Sequence, residues 1–72
     1  MTTDPWAIFR ANLEKLIDEA GSAEKLAAEA DVSFWTVQSW RNRDVAPTYD
    51  SLARLAAAVR MTVEQLVEER IK

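Results

Sequence analysis

Apolar residues recur along this chain at the three- and four-residue spacing of amphipathic helices, and no stretch shows the sustained alternation of a half-buried strand. The first apolar stripe follows Asp4-Pro5, a pair typical of a helix start. Gly21 is expected to end this helix in the left-handed conformation that glycine adopts at little cost. The stripe comprises Trp6, Phe9, Leu13, Leu16, Ile17 and Ala20.

Residues that favour N-cap positions predict two short helices in the middle of the chain. Ser22 precedes an alanine-rich helix over about residues 23–30. Ser33 precedes a third helix over about residues 34–42, after a tight break at Asp31-Val32.

The C-terminal third of the chain predicts two more helices. Pro47 disfavours helix in the loop before it, and Thr48 can cap the fourth helix. Thr62 and Gln65 have the spacing of a capping box at the start of the last helix. We therefore expect an all-α protein, a compact five-helix bundle that forms a single domain over residues 1–72. The apolar stripes of these two helices are Leu52, Leu55, Ala56 and Val59, then Val63, Leu66, Val67 and Ile71.

Residues 22–42 have the spacing of a helix-turn-helix motif. Ala27 and Ala30 are small enough for the two helices to pack closely beside the turn. Val37 and Trp40 share one face of the second helix and can fill the space behind it. This arrangement leaves the opposite face of that helix free to enter a major groove.

An ordered set of residues extends this motif through most of the chain. The set is Leu26-Ala27, Val32-Ser33, Thr36-Val37, Trp40, Pro47, Leu52, Leu55-Ala56, Val59 and Leu66. In this order and spacing, it resembles the family of phage Cro and lambda-type repressors, the XRE-type helix-turn-helix, over about residues 9–67. The resemblance implies a lambda-repressor-like bundle that binds operator DNA, usually as a two-fold dimer. We therefore expect a sequence-specific DNA-binding transcriptional regulator, a small repressor whose third helix enters the major groove of a palindromic operator.

The resemblance also implies which side chains of the third helix face the bases. Gln38 and Asn42 can each form two hydrogen bonds with adenine, and Phe34 can pack on thymine methyl groups. None of these positions holds an Arg or Lys that could read guanine, so we expect an operator rich in A·T pairs. In the alternative interpretation, Phe34 or Trp35 packs against the first or fourth helix and touches no ligand. The expected base-reading residues are Ser33, Phe34, Trp35, Gln38, Ser39 and Asn42.

Four positions depart from the usual pattern of this family. Ala23 stands where a phosphate-binding Gln is usual, whereas Arg41 replaces an acidic residue and Arg43 replaces a glycine. Asp31 replaces the usual glycine of the turn, but Asp tolerates the left-handed conformation better than most residues. One phosphate contact is therefore lost, and Arg41 and Arg43 can provide two others unless they are only surface charges.

Other phosphate contacts are expected from the remaining basic residues and from a helix start. The N–H groups of the helix that begins at Thr48 could hold a phosphate, although Asp50 opposes an anion there. The candidate phosphate-contacting residues are Arg41, Arg43, Lys25, Arg10 and Thr48.

Composition restricts the chemistry that is available to this chain. The 72 residues include no Cys and no His and a single Gly, which excludes thiol nucleophiles, imidazole bases and glycine-rich phosphate loops. We therefore expect no enzymatic activity, cofactor, metal site or small-molecule substrate. No apolar run approaches the roughly 20 residues that span a bilayer and no signal peptide is evident, so a cytoplasmic protein with no membrane partner is expected.

Two questions remain open at this point. Val63, Val67 and Ile71 share one stripe of the last helix, and they could complete the core or form a homodimer interface. The second question concerns function, because the formal charge of −3 opposes non-specific DNA binding. The alternative is a protein–protein interaction module on a helix-turn-helix scaffold that has lost DNA binding.

Overall fold

Five α-helices form the fold in the computed structural model, which describes residues 4–42 and 46–71. Those two segments contain no strand. The all-α, five-helix class that the hydrophobic stripes predict is therefore confirmed. The helices are α1 (Ala7–Ala20), α2 (Ala23–Ala30), α3 (Phe34–Arg41), α4 (Tyr49–Val59) and α5 (Val63–Glu68).

A hydroxyl side chain caps the N-terminus of each helix from α2 to α5, as the sequence predicts. In every case the side-chain oxygen accepts the backbone N–H three residues later, which satisfies one of the free donors of the first turn. The distances are 3.1 Å for Ser22, 3.0 Å for Ser33, 3.2 Å for Thr48 and 3.1 Å for Thr62.

The first helix begins later than the sequence predicts. Trp6 is its N-cap residue, so α1 starts at Ala7 and not at Pro5. Asp4 still binds free donors, because its Oδ1 accepts the Trp6 N–H at 2.9 Å and its carbonyl accepts the Ala7 N–H at 3.2 Å. A tight turn therefore precedes the first regular helical residue.

Three helices end at a residue in the left-handed conformation. Gly21 has φ 103° and Asp31 has φ 56°, and both positions were expected from the sequence. Arg60, which ends α4, has φ 59° and was not expected, because a side chain with a Cβ is strained there.

The last helix is shorter than the sequence predicts. It ends at Glu68, and Glu69 is extended with φ −119°, so Ile71 lies beyond the helix. The backbone N–H of Ile71 donates to Oδ1 of Asn12 on α1, at 2.9 Å. This contact holds the chain against α1 instead of continuing the helix, and the predicted helical stripe of Val63, Val67 and Ile71 is therefore wrong at Ile71.

The core lies where α1, α2, α3 and α4 meet, with Leu66 as its contribution from α5. Trp6, Phe9 and Trp40 form a chain of edge-to-face ring contacts, with centroid distances of 6.2 Å and 5.6 Å, which fixes α3 against α1. The buried apolar residues are Phe9, Leu13, Leu16, Ala23, Leu26, Ala27, Ala30, Val37, Trp40, Leu52, Leu55, Ala56 and Leu66.

Candidate nucleic-acid interface

A short turn over residues 31–33 joins α2 to α3 and determines how α3 leaves the bundle. Asp31 is in the left-handed conformation, and the next N–H, from Val32, donates to the carbonyl of Ala27 at 3.0 Å. Ser33 then caps α3. Ala27 and Ala30 are both buried beside this turn, and their small size allows the two helices to pack closely.

One stripe of α3 anchors the helix in the core. Val37 is fully buried, and Trp40 is 2% exposed with its ring against that of Phe9. Both residues have the core role that the sequence predicts. Because the anchor occupies one side only, the opposite face of α3, which includes Trp35 and Asn42, is exposed to solvent.

The six expected base-reading residues differ in exposure. Trp35 is 74% exposed, and Ser33 and Asn42 are also exposed. Gln38 and Ser39 are half-buried. Phe34 is half-buried and packs against the core, with its ring 5.3 Å from that of Trp35 in an edge-to-face contact. The alternative interpretation, inward packing, therefore describes Phe34 better than Trp35.

Ser33 and Asn42, the first and last of the expected base-reading residues, also cap α3. Oγ of Ser33 accepts the N–H of Thr36 at 3.0 Å and lies 2.8 Å from the Thr36 hydroxyl. Asn42 is the C-cap residue, and its backbone N–H donates to the carbonyl of Gln38 at 3.0 Å. Asn42 is exposed at the end of α3, whereas the Ser33 hydroxyl is engaged with Thr36.

Arg41, an expected phosphate contact, forms an ion pair with α1. Its Nε and Nη2 donate to the two carboxylate oxygens of Glu14 at 2.8 Å and 3.3 Å, and its Nη1 donates to Oε1 of Gln38 at 3.1 Å. The Arg41 side chain is 36% exposed, so these contacts do not enclose it fully.

Arg10 has a structural environment that the sequence did not predict. Its Nε donates to the carbonyl of Trp40 at 2.8 Å, and its Nη1 is paired with the Asp4 carboxylate at 2.6 Å. The side chain is only 15% exposed. Arg10 therefore fastens the end of α3 to α1, and this role competes with the phosphate contact expected from the sequence.

The other phosphate candidates lie at different places. Lys25 is exposed near the start of α2. Thr48 caps α4, where its hydroxyl also donates to Oγ of Ser51 at 3.0 Å. Arg43 lies outside the described residues.

A cleft of about 240 Å³ lies between one side of α3 and the start of α4. Four of its lining residues carry hydroxyl groups, and the lining residues are Thr36, Ser39, Trp40, Ala46, Thr48 and Ser51. Ser39 and Thr48, which the sequence assigns separately to base and phosphate contacts, are brought together here.

Two residues of this region, Tyr49 and Glu14, were not predicted from the sequence. Tyr49 is 75% exposed at the first position of α4. Its exposure could have been predicted from the sequence, because Tyr49 directly follows the capping residue Thr48 and does not belong to the apolar stripe of α4. Glu14 gave no such signal, because its partner Arg41 lies 27 positions away in the sequence.

Most of the described cations next to α3 are paired with carboxylates. Besides the Arg41–Glu14 pair, Arg54 on α4 lies 3.3 Å from the carboxylate of Asp50 and donates to the carbonyl of Asp31 at 3.1 Å. Among the described cations of this region, Lys25 has no carboxylate within ion-pair distance.

None of the helices in the described residues is both long enough and apolar enough to cross a bilayer. Comparison of the chain with protein-family models, with curated proteins and with solved structures gave no match. The family resemblance of the sequence therefore stays a prediction.

Proposed function

We propose that α2 and α3 form the helix-turn-helix of a phage Cro and lambda-type repressor fold, and that α3 binds the major groove of double-stranded DNA. The observation that carries this proposal is the one-sided anchoring of α3. Val37 and Trp40 fix the helix, while Trp35 and Asn42 extend from it into solvent. A helix that is anchored on one side and exposed on the other is the element that major-groove readers share.

The free face offers groups that can read base edges. The amides of Gln38 and Asn42 carry donors and acceptors, and the broad apolar face of Trp35 suits a thymine methyl group. Ser39 lines the cleft between α3 and α4 and can add a hydroxyl contact. In this proposal Phe34 supports Trp35 and does not itself enter the groove.

Few cations are placed to neutralise phosphates. Lys25 and the exposed part of Arg41 are the contacts within the described residues, and the N–H groups of α4 behind Thr48 add an uncharged one. Arg43 stays a candidate from the sequence alone. A protein with so few phosphate contacts should show a shallow dependence of affinity on salt, with a slope of about −0.9 per contact.

As a regulator, the protein would act by occupying an operator and excluding other proteins from it. This mode needs only binding, and the absence of Cys and His from the sequence is compatible with it. We also propose a cytoplasmic location, because a regulator must reach its operator in the cytoplasm of a bacterial or phage-infected cell.

The test is selection of bound duplexes from a random pool, followed by titration of the best duplex at several salt concentrations. We expect an enriched motif, and Lys25→Ala should reduce the slope of log Kobs against log[salt] by about one. Lys15→Ala is the matched control, because the Lys15 ammonium is bound to the carbonyl of Ile71, away from α3. Its slope should stay that of the parent protein. Absence of any enriched motif would reject the proposal.

A second candidate function, a protein-interaction module, is favoured by the large exposed aromatic residues. Trp35 and Tyr49 are each about three-quarters exposed, and aromatic residues are frequent anchors of protein interfaces. If Trp35→Ala abolishes binding to a protein partner while no duplex is ever selected, this function replaces the first.

We also propose that the protein forms a two-fold homodimer, as the expected palindromic operator requires. Two adjoining grooves of about 280 Å³ and 330 Å³ share Met61 and Ile71 in their lining. Val59 adds further apolar surface to the first groove. This surface is formed by α1, α2, the end of α4 and the segment from Met61 to Ile71, and so differs from the helical stripe expected from the sequence.

The charges around the two grooves suit a second copy of the same chain. The first groove is lined by Glu19 and Glu29, whereas the second is lined by Arg60 and Arg70, together with Glu69. In a two-fold dimer each surface meets its own counterpart in the opposite orientation, so the carboxylates of one copy can face the guanidinium groups of the other.

Charge exchange tests this arrangement by sedimentation. The variants Glu19→Lys/Glu29→Lys and Arg60→Glu/Arg70→Glu should each be monomeric, because like charges would then meet. An equimolar mixture of the two variants should form a heterodimer, since every facing pair again has opposite signs. Two monomeric variants that stay monomeric when mixed, or a parent protein that is monomeric at micromolar concentration with its DNA, would reject the dimer.

A further inference from the structure

Three side chains form a continuous hydrogen-bonded chain from α1 to the outer face of α3. Both carboxylate oxygens of Glu14 accept from Arg41, at 2.8 Å and 3.3 Å. Nη1 of Arg41 then donates to Oε1 of Gln38 at 3.1 Å. Glu14 is 55% exposed and Arg41 is 36% exposed, so the chain lies at the surface beside the proposed reading face.

The chemistry of this chain determines which end of the Gln38 amide faces outward. A guanidinium group has only donors, so the group of Gln38 that meets Arg41 must be its oxygen. The two-point contact with Glu14 holds the guanidinium plane, which in turn holds the amide. In the described residues the structure gives the Gln38 NH2 group no hydrogen-bond partner, and it is therefore free to donate to a ligand.

This orientation changes the base that Gln38 would read. Pairing with adenine requires the amide oxygen to accept from the N6 amino group while the NH2 group donates to N7. An amide that presents donors fits guanine better, because the major-groove edge of guanine carries two acceptors, N7 and O6. The A·T preference expected from the sequence assumed that both ends of the amide were free.

We propose that Glu14 is a positioning residue for specificity: through Arg41 it directs the Gln38 NH2 group outward and favours guanine over adenine opposite Gln38. This inference rests on the proposed function, because it deepens the DNA-binding assignment of α3. It adds a residue of α1, outside the helix-turn-helix segment, to the determinants of the operator.

The first test needs no DNA. In nuclear magnetic resonance spectra of the free protein, Arg41 Nε–H should exchange slowly with solvent, and the Gln38 NH2 resonances should differ from those of a solvated amide. Glu14→Ala should abolish the slow exchange and move the Gln38 NH2 signals towards solvated values, whereas Glu14→Gln, which keeps an acceptor for Nε–H, should preserve most of both. Asp18→Ala removes a carboxylate from the same helix and should leave both signals unchanged. Solvated Gln38 signals in the parent protein would overturn the inference.

The second test is selection of bound duplexes by four proteins: the parent, Gln38→Ala, Glu14→Ala and Asp18→Ala. The position at which Gln38→Ala loses its preference identifies the base opposite Gln38. At that position the parent should prefer guanine over adenine by about tenfold, the lower end of the discrimination that a specific base-edge contact gives. Glu14→Ala should shift the ratio about tenfold towards adenine there and at no other position, whereas Asp18→Ala should not shift it.

The outcomes separate this inference from the proposed function. If the parent selects a motif but prefers adenine opposite Gln38, or if Glu14→Ala leaves the ratio unchanged, the positioning role is rejected and DNA binding stands. If no protein selects a motif, DNA binding is rejected and the specificity inference with it. Combining Glu14→Ala with Gln38→Ala should add nothing at this position beyond Gln38→Ala alone, because Glu14 acts through Gln38.

Discussion

Oδ1 of Asn12 accepts the backbone N–H of Ile71 at 2.9 Å, across a separation of 59 residues in the sequence. Nδ2 of the same amide donates to the carbonyls of Leu66 and Glu69 at 2.8 Å and 2.7 Å. Asn12 is 1% exposed, and it is the buried polar residue of the described core. One side chain of α1 thus satisfies the backbone groups that the end of α5 leaves free.

We expect Asn12→Ala to lower the free energy of unfolding by about 3 kcal/mol, because two carbonyls and one N–H lose their partner in a buried site. Urea unfolding followed by circular dichroism measures the change. Asn12→Asp should be at least as destabilising, since a carboxylate cannot donate to those carbonyls. Asn42→Ala, at an exposed position, serves as the surface control and should stay within about 0.5 kcal/mol of the parent.

Arg10 should prove to be a stabilising residue and not a phosphate contact. Arg10→Gln removes the donors to the Trp40 carbonyl and the Asp4 carboxylate, and we expect a loss of about 1–3 kcal/mol in unfolding free energy. The slope of log Kobs against log[salt] for DNA should nevertheless stay unchanged, because the guanidinium group is directed into the protein. A slope reduced by about one, as expected for Lys25→Ala, would instead make Arg10 a phosphate contact.

Local signals explain why most of the fold was predictable from the sequence. Each hydroxyl cap acts on an N–H only three residues away, so Ser22, Ser33, Thr48 and Thr62 could be recognised without tertiary information. The apolar stripes similarly depend on helical periodicity alone, and they identified nearly all of the core.

Contacts between distant residues explain what the sequence could not predict. The position of Ile71 depends on Asn12, and the environment of Arg10 depends on the carbonyl of Trp40, 30 residues later. The sequence around Ile71 or Arg10 contains no signal that identifies the distant partner. The same distinction holds for the candidate interface. The exposure of Trp35 could be predicted, because it lies opposite the apolar stripe of α3. The contact of Arg41 with α1 could not be predicted, because it joins residues that are far apart in the sequence.

Truncation of the two tryptophans of α3 should have very different effects on stability. Trp40→Ala should cost about 3–5 kcal/mol of unfolding free energy, because the ring is 2% exposed and packs on Phe9. Trp35→Ala should change stability by less than about 0.5 kcal/mol, because the residue is 74% exposed. The same variant should weaken binding of DNA or of a protein partner. Thermal unfolding of both variants, with binding measured on the same preparations, checks the contrast. A large stability loss in Trp35→Ala would mean that its contact with Phe34 serves the fold and not a partner.

Arg60→Gly should stabilise the protein, because Arg60 ends α4 at φ 59° and glycine removes the strain that a Cβ causes there. We expect a gain of about 1 kcal/mol, reduced somewhat by the greater freedom of glycine in the unfolded chain. Arg60→Ala is the matched control: it removes the same guanidinium group but keeps the Cβ, so it should not be stabilised. Urea unfolding at high salt, where the proposed ion pairs between copies are screened, separates backbone strain from dimer formation. Equal stability of the two variants would show that the left-handed conformation at residue 60 carries no such cost.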